Sequence, residues 1–309
     1  MLDTPVYLDA IAYELGDPRD ISEIPELAAD EGLLEVYRMR GLQLHCVSEL
    51  APRELAGSCA RQTLARAEVA PADVDVVIYA TDHLTSEALY SRPEINHLLG
   101  DLGLTRAYPI GVSLAGCANF ASGLQLAASL VRTGDAERVL VVIVEKLYGE
   151  GTRLLDLGMS VLSDGAVSFL VRKDRGDHEV RRVGRSSRPE MENISIERNM
   201  AGFFAATGVG VAAAVEAALA GAGLGREAVR WLFTNNYVPH ILQAFAKHTG
   251  FTSAQCYLAN VPRFGHVFSA DTLINLHDCT LAGQVAAGDH CLLLGSSPTS
   301  WGAALLRRT

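Results

Sequence analysis

The sequence predicts a layered α/β fold made of two similar halves. Three observations carry this reading: short runs that are apolar at nearly every residue, Ala- and Leu-rich stretches of helical length between them, and an order of elements that recurs in the second half. Runs without polar alternation read as strands buried on both faces, as in largely parallel sheets covered by helices. The strands expected are residues 74–80 (VDVVIYA), 139–144 (VLVVIV), 167–171 (VSFLV), 231–234 and 291–294 (CLLL). The helices expected between them are residues 51–67, 118–131, 208–222, 241–249 and 270–282. Residues 172–189, charged and punctuated by glycine, read as the connection between halves, which divides the chain into residues 1–172 and 173–309.

The repeat is loose but specific. In the first half a helix, the turn Ala70-Pro71-Ala72-Asp73 and a strand follow in order; in the second, helix 208–222, the turn Gly223-Leu224-Gly225-Arg226 and strand 231–234 do the same. Farther on, each half has a turn opening a small-residue helix, Gly116-Cys117-Ala118 and Gly265-His266-Val267. A Gly-Asp then precedes an apolar strand, at Gly134-Asp135 and Gly288-Asp289. If a pseudo-twofold relates the halves, Cys117 and His266 face one another at matching helix starts.

Composition narrows the function. Apolar residues make up 49% of 309, ample for a large core. Lys+Arg 26 against Asp+Glu 36 leaves a net charge of −10, which disfavours binding to a nucleic-acid backbone. No uninterrupted apolar run of about 18 residues is expected to span a membrane. Met1-Leu2-Asp3-Thr4-Pro5 lacks the basic-then-apolar pattern of a secretion signal, so the expected location is cytoplasmic. The six cysteines include no C-x-x-C pair and the nine histidines no H-E-x-x-H, so neither a disulfide framework nor a metal site is expected. Gly208-x-Gly210 lacks the third glycine and the preceding strand of a dinucleotide site.

Residues 110–121 (IGVSLAGCANFA) run from a strand-like start into a helix, with Cys117 at the helix N-terminus. Unpaired N–H groups and the positive dipole end there favour a thiolate, able to take an acyl group from a thioester. The competing reading is a small buried hydrophobe. Ser113, in Gly111-Val112-Ser113-Leu114-Ala115, lacks the second glycine of a nucleophilic serine elbow.

The segment AGCANFASGLQLA resembles the active-site cysteine segment of β-ketoacyl-acyl-carrier-protein synthase III, in the thiolase superfamily. Residues 67–82 (AEVAPADVDVVIYATD), Glu145-Lys146-Leu147, residues 162–167 (LSDGAV), residues 230–232 and residues 301–305 (WGAAL) follow in that family's order and spacing. The resemblance implies the duplicated, five-layer αβαβα thiolase-like fold, a homodimer, no bound cofactor, and an acyl-CoA or acyl-carrier-protein thioester as substrate. It implies that Cys117 is acylated, and that a malonyl thioester then condenses with the acyl group by decarboxylation. The family also contains acyltransferases to alcohols or amines, and a catalytically inactive partner subunit is a third possibility.

The resemblance breaks at the other catalytic groups, a His and an Asn in the family. Alignment without gaps between Trp231 and Gly250 puts Asn235 at the His position and His266 at the Asn position, as if the two residue types had traded places. His266 is then the expected base or donor and Asn235 a second donor. A rival register makes His240 the catalytic histidine, because Val238-Pro239-His240 spells the family's V-P-H. Pro239, however, suits the first turn of a helix. The coenzyme A-holding stretch keeps Arg38 and Arg40 but lacks its Trp, which implies an acyl donor delivered on a carrier protein or coenzyme A held differently. The C-terminal loop reads Gly295-Ser296-Ser297-Pro298: backbone N–H groups of Cys117 and Ser297 are the expected oxyanion donors, with Ser296 beside the substrate.

Overall fold

The strands are β1 (Tyr7–Leu15), β2 (Asp17–Asp20), β3 (Leu44–Val47), β4 (Val76–Ala80), β5 (Tyr108–Val112), β6 (Arg138–Glu145), β7 (Gly165–Arg172), β8 (His178–Ser187), β9 (Val229–Thr234), β10 (His290–Ser296) and β11 (Ser300–Arg308), and β4, β6, β7 and β10 form where apolar and β-branched residues concentrate. The helices are α1 (Pro25–Ala28), α2 (Glu31–Met39), α3 (Pro52–Ala67), α4 (Arg92–Leu102), α5 (Asn119–Thr133), α6 (Met200–Ala220), α7 (Pro239–Thr249), α8 (Val261–Phe264) and α9 (Asp271–Leu281). The computed structural model describes residues 4–82, 92–147, 151–194, 196 and 198–309.

The main sheet runs β5-β4-β6-β7-β1-β8-β11-β10-β9, with β2 and β3 paired separately. Its two ends repeat one pattern. β4 lies parallel to β6, β6 antiparallel to β7, and β7 antiparallel to β1. β9 lies parallel to β10, β10 antiparallel to β11, and β11 antiparallel to β8. The order β4-β6-β7-β1 is therefore mirrored by β9-β10-β11-β8 about the contact of β1 with β8.

Five layers result. Helices α3 and α4 cover the first set of strands, α6 and α7 cover the second, and α5 and α9 lie between the two sets. The middle layer draws on both halves: Phe120, Leu124 and Ala128 of α5 share one core with Leu273, Ile274 and Leu276 of α9. This is the thiolase-like αβαβα architecture.

Three expectations are corrected. The main sheet is mixed rather than largely parallel, because only β5–β4, β4–β6 and β9–β10 run parallel. The stretch 172–189 is not simply a connection, because residues 178–187 form β8 at the centre of the molecule. Its arginines hid a half-buried strand: His178, Val180 and Gly184 are buried while Arg181, Arg182 and Arg185 face outward or lie half-exposed. Helix α6 begins at Met200, and its 21 residues have the length and apolar composition of a membrane span, contrary to expectation. In this fold Val211, Ala214, Val215 and Ala218 of that helix are buried, and the helix packs on β8 and β11.

Gly208-x-Gly210 has a packing role. A Cβ at Gly210 would lie 2.2 Å from the ring of Trp301, which is buried on β11 and donates from Nε1 to Ser296 Oγ at 3.1 Å. Gly210→Ala is expected to destabilise the protein by about 1–3 kcal/mol, seen as a lower denaturant midpoint. His178 gives a second test. Burial holds this imidazole neutral and pushes its pKa from 6.5 down to about 4, and neither ring nitrogen has a partner. The unfolded chain binds the extra proton first as pH falls. Stability is therefore full above about pH 6.5 and declines towards pH 4. A His178→Phe variant should show a flatter stability profile over that window in chemical denaturation.

Candidate active site

Cys117 sits in the one-turn segment Gly116–Ala118 that feeds α5. Two glycines fix its backbone. Gly116 has φ +52°, and a Cβ there would lie 2.0 Å from Ser297 Oγ. A Cβ on Gly295 would lie 2.4 Å from the Cys117 carbonyl oxygen, so β10 crosses directly against the cysteine. His266 is fixed from the other half: its N–H donates to Val161 O at 2.8 Å, and its carbonyl accepts from Ser163 N at 2.9 Å. The turn Phe268–Ala270 then leads into α9.

These placements bring His266 Nε2 to 3.3 Å from Cys117 Sγ. On the far side of the ring, Nδ1 lies 2.5 Å from Asp271 Oδ2. Asp271 has no exposure and also accepts from Val267 N at 2.7 Å and Asn236 N at 2.8 Å. A thiol, an imidazole and a buried carboxylate thus stand in line. Sequence reasoning missed Asp271. The signal was available: Asp271 opens α9 and accepts from the N–H four residues back, as Asn119 opens α5 and accepts from Ala115 N at 3.1 Å. By that correspondence the pseudo-twofold mate of Cys117 is Ser269, whose hydroxyl accepts from Phe120 N, and His266 comes three residues earlier.

The thiol is not a preformed thiolate, contrary to expectation. Burial, with the carboxyl groups of Asp82, Asp271 and Glu145 nearby, pushes its pKa well above the usual value and overrides the helix N-terminus. Ionisation at neutral pH therefore requires handing the proton to a base. The expected oxyanion donors are also engaged. Cys117 N–H donates to Ser297 Oγ at 2.8 Å, that hydroxyl donates to Ala115 O at 2.9 Å, and Ser297 N–H closes the β10–β11 turn on Ser300 O at 2.9 Å. A substrate carbonyl reaches the Cys117 N–H only by displacing the serine hydroxyl.

The other expected residues fall elsewhere. Asn235 is buried at the tip of β9, where Nδ2 donates to Phe268 O at 2.8 Å and Oδ1 accepts from Ser296 N at 2.8 Å, so its amide ties two backbone segments together. Ser296 is pinned further by Tyr237, whose hydroxyl donates to Ser296 O at 2.8 Å. Cys117, His266, Ser296 and Ser297 line an inner cavity of about 200 Å³ walled by Leu155, Phe203, Phe204, Phe245 and Phe268. His240 lies on the first turn of α7 and lines a separate outer chamber of about 470 Å³, which shares Met159, Phe204 and Phe245 with the inner one. Arg40 also borders the outer chamber, but its Nη1 donates to Leu157 O at 2.8 Å and Gly158 O at 3.1 Å. Arg38 pairs with Asp20 at 3.0 Å.

Comparison with known proteins agrees with this fold. The family described as 3-Oxoacyl-[acyl-carrier-protein (ACP)] synthase III matches residues 113–187, and its C-terminal portion matches residues 219–308, together more than half the chain. The β-ketoacyl-[acyl-carrier-protein] synthase III of Aquifex aeolicus is 27% identical over 265 residues, covering 82% of this chain and 83% of the relative. The 2-heptyl-4(1H)-quinolone synthase subunit PqsC of Pseudomonas aeruginosa is 28% identical over 284 residues, covering 79% of each. Among solved structures, the acyltransferase ChlB3 superposes with a TM-score of 0.84 at 19% identity, covering 98% of both chains. With the thiolase-like layers, the two family matches and these relatives in hand, the chain belongs to the 3-oxoacyl-[acyl-carrier-protein] synthase III family of acyl-transferring enzymes.

Proposed function

We propose that this protein passes an acyl group from a carrier-protein or coenzyme A thioester through Cys117 to a hydroxyl or amine acceptor. The observation that carries the reading is the Cys117–His266–Asp271 line. His266 Nε2 takes the thiol proton as sulfur attacks the thioester carbonyl, and returns it to the departing thiol. Asp271 holds the ring in the tautomer that presents Nε2 to sulfur and offsets the charge that develops on it. In the second half-reaction His266 takes the acceptor's proton, the acceptor attacks the acyl-cysteine, and the proton returns to sulfur. The product is an ester or amide.

Decarboxylative condensation, the outcome the sequence resemblance implies first, relies on a His and an Asn donating together to a malonyl thioester. Here the Asn235 amide is tied to backbone and His266 is backed by a carboxylate, an arrangement suited to removing a proton from an acceptor. The description of ChlB3 as an acyltransferase agrees with this choice. Arg38 and Arg40 are engaged within the chain, which favours a carrier-borne donor over coenzyme A. For the homodimer, support comes from edge strand β5, where Tyr108 is 70% exposed, with Leu114 just beyond it 89% exposed. Action in the cytoplasm follows from the same reading.

Intact-protein mass spectrometry after incubation with acyl thioesters tests the first step: wild type should gain one acyl mass and Cys117→Ala none. Adding malonyl-carrier protein to the loaded enzyme should release no carbon dioxide, whereas an alcohol or amine acceptor should discharge the cysteine; carbon dioxide release would restore condensation. The histidine assignment has its own test. His266→Ala and Asp271→Asn should each lower turnover by about 10²–10⁴-fold, while His240→Ala should stay near wild type. The reverse ranking would make His240 the base.

A further inference from the structure

We propose that the Tyr237 hydroxyl is an oxyanion donor, bonding to the thioester oxygen as Cys117 attacks. This rests on the acyl-transfer reading of the same cavity and adds a catalytic residue to it. The backbone donors expected for that role are turned elsewhere: Cys117 N–H donates to Ser297 Oγ, and Ser297 N–H donates to Ser300 O. A tetrahedral oxyanion formed in a cavity walled by aromatic rings is poorly solvated, so it needs a donor from the protein.

Tyr237 is placed to supply one. It follows the tip of β9, is 7% exposed, and lines the inner cavity together with Cys117 and His266. Its ring packs edge-on against Phe245, with centroids 6.1 Å apart, and against the His266 ring at 5.1 Å. With the ring so held, the hydroxyl donates to Ser296 O at 2.8 Å and also interacts with the Cys117 sulfur. A group that touches the sulfur is within reach of the carbonyl the sulfur attacks. Burial, with Cys117 and Asp271 nearby, pushes the phenol pKa well up, so the hydroxyl keeps its proton and stays a donor. Turning it away does not release the loop, because Ser296 N–H remains on Asn235 Oδ1 at 2.8 Å and Ser296 Oγ on Trp301 Nε1 at 3.1 Å.

In the step itself, an electron pair of sulfur forms the new C–S bond and the carbonyl π pair moves onto oxygen. The Tyr237 O–H turns from Ser296 O to that oxygen without giving up its proton. The C=O bond then re-forms, the bond to the departing thiol breaks, that thiol takes the proton held on His266, and the hydroxyl returns to Ser296 O.

The test sets two electrophiles against the full chain. The hexanoyl thioester of N-acetylcysteamine generates an oxyanion on reaction with Cys117, whereas iodoacetamide alkylates the same sulfur without one. Both rates are read by intact mass on wild type and Tyr237→Phe, with Cys117→Ala as the blank. The Phe variant should acylate about 10²-fold more slowly and be alkylated at the wild-type rate. Tyr237→3-fluorotyrosine, which returns the O–H on nearly the same ring, should acylate at least as fast as wild type. Unchanged acylation in Tyr237→Phe would overturn the proposal, and so would an equal loss of both reactivities, which marks a purely structural role. A fluorotyrosine protein as slow as Tyr237→Phe would do the same. If iodoacetamide labels wild-type Cys117 and no thioester does, the acyl-transfer reading itself fails and this inference falls with it.

Discussion

The site depends on one buried carboxylate. Asp271 has no contact with solvent, and its two oxygens gather the His266 ring, the Val267 N–H and the N–H and amide of Asn236. A carboxylate can be kept in such a place only if hydrogen bonds surround it, because an unpaired charge in a core is costly. Meeting that requirement forces the His266 loop, the tip of β9 and the start of α9 into one arrangement. That arrangement points Nε2 at the cysteine of the other half.

A ladder of buried amides continues behind the carboxylate. Asn275 donates to Thr234 O and to Asn236 Oδ1, and Asn260 donates to Asn275 Oδ1. Each bond leaves its neighbour fewer orientations, so the polar interior of the second half acts as a rigid mount for the imidazole. The first half supplies the thiol through close backbone packing, with Gly116 and Gly295 letting the cysteine turn and β10 touch. The two halves therefore contribute by different physics: hydrogen bonding holds the base, and steric fit holds the nucleophile. A thiol kept protonated by burial and nearby carboxyl groups then makes sense, since the proton acceptor is already in contact.

Much of the fold was legible because strands buried on both faces and small-residue helices leave plain marks. The runs at residues 76–80, 139–144 and 291–294 are apolar throughout and could be little else. Strand β8 was not legible, since its charged residues alternate with buried ones only in the register that β11 imposes. The repeat selected Cys117 and His266, yet the closer structural match is Cys117 with Ser269 and Asn119 with Asp271. A small misalignment still picked two residues that the fold brings together, because both helices start at the same middle layer.

The sequence by itself determined the duplicated α/β layering and the family, and singled out Cys117 as the candidate nucleophile, since each is written in local composition, spacing or motif. Tertiary structure decided what that sulfur faces. It made Asp271 the partner of His266, engaged Asn235, Arg38 and Arg40 within the chain, and put His240 on a different chamber. The reason is physical: hydrogen-bond partners and burial are set by segments far apart in the chain, 180 residues for Cys117 and Ser297, and no local pattern specifies which polar groups meet.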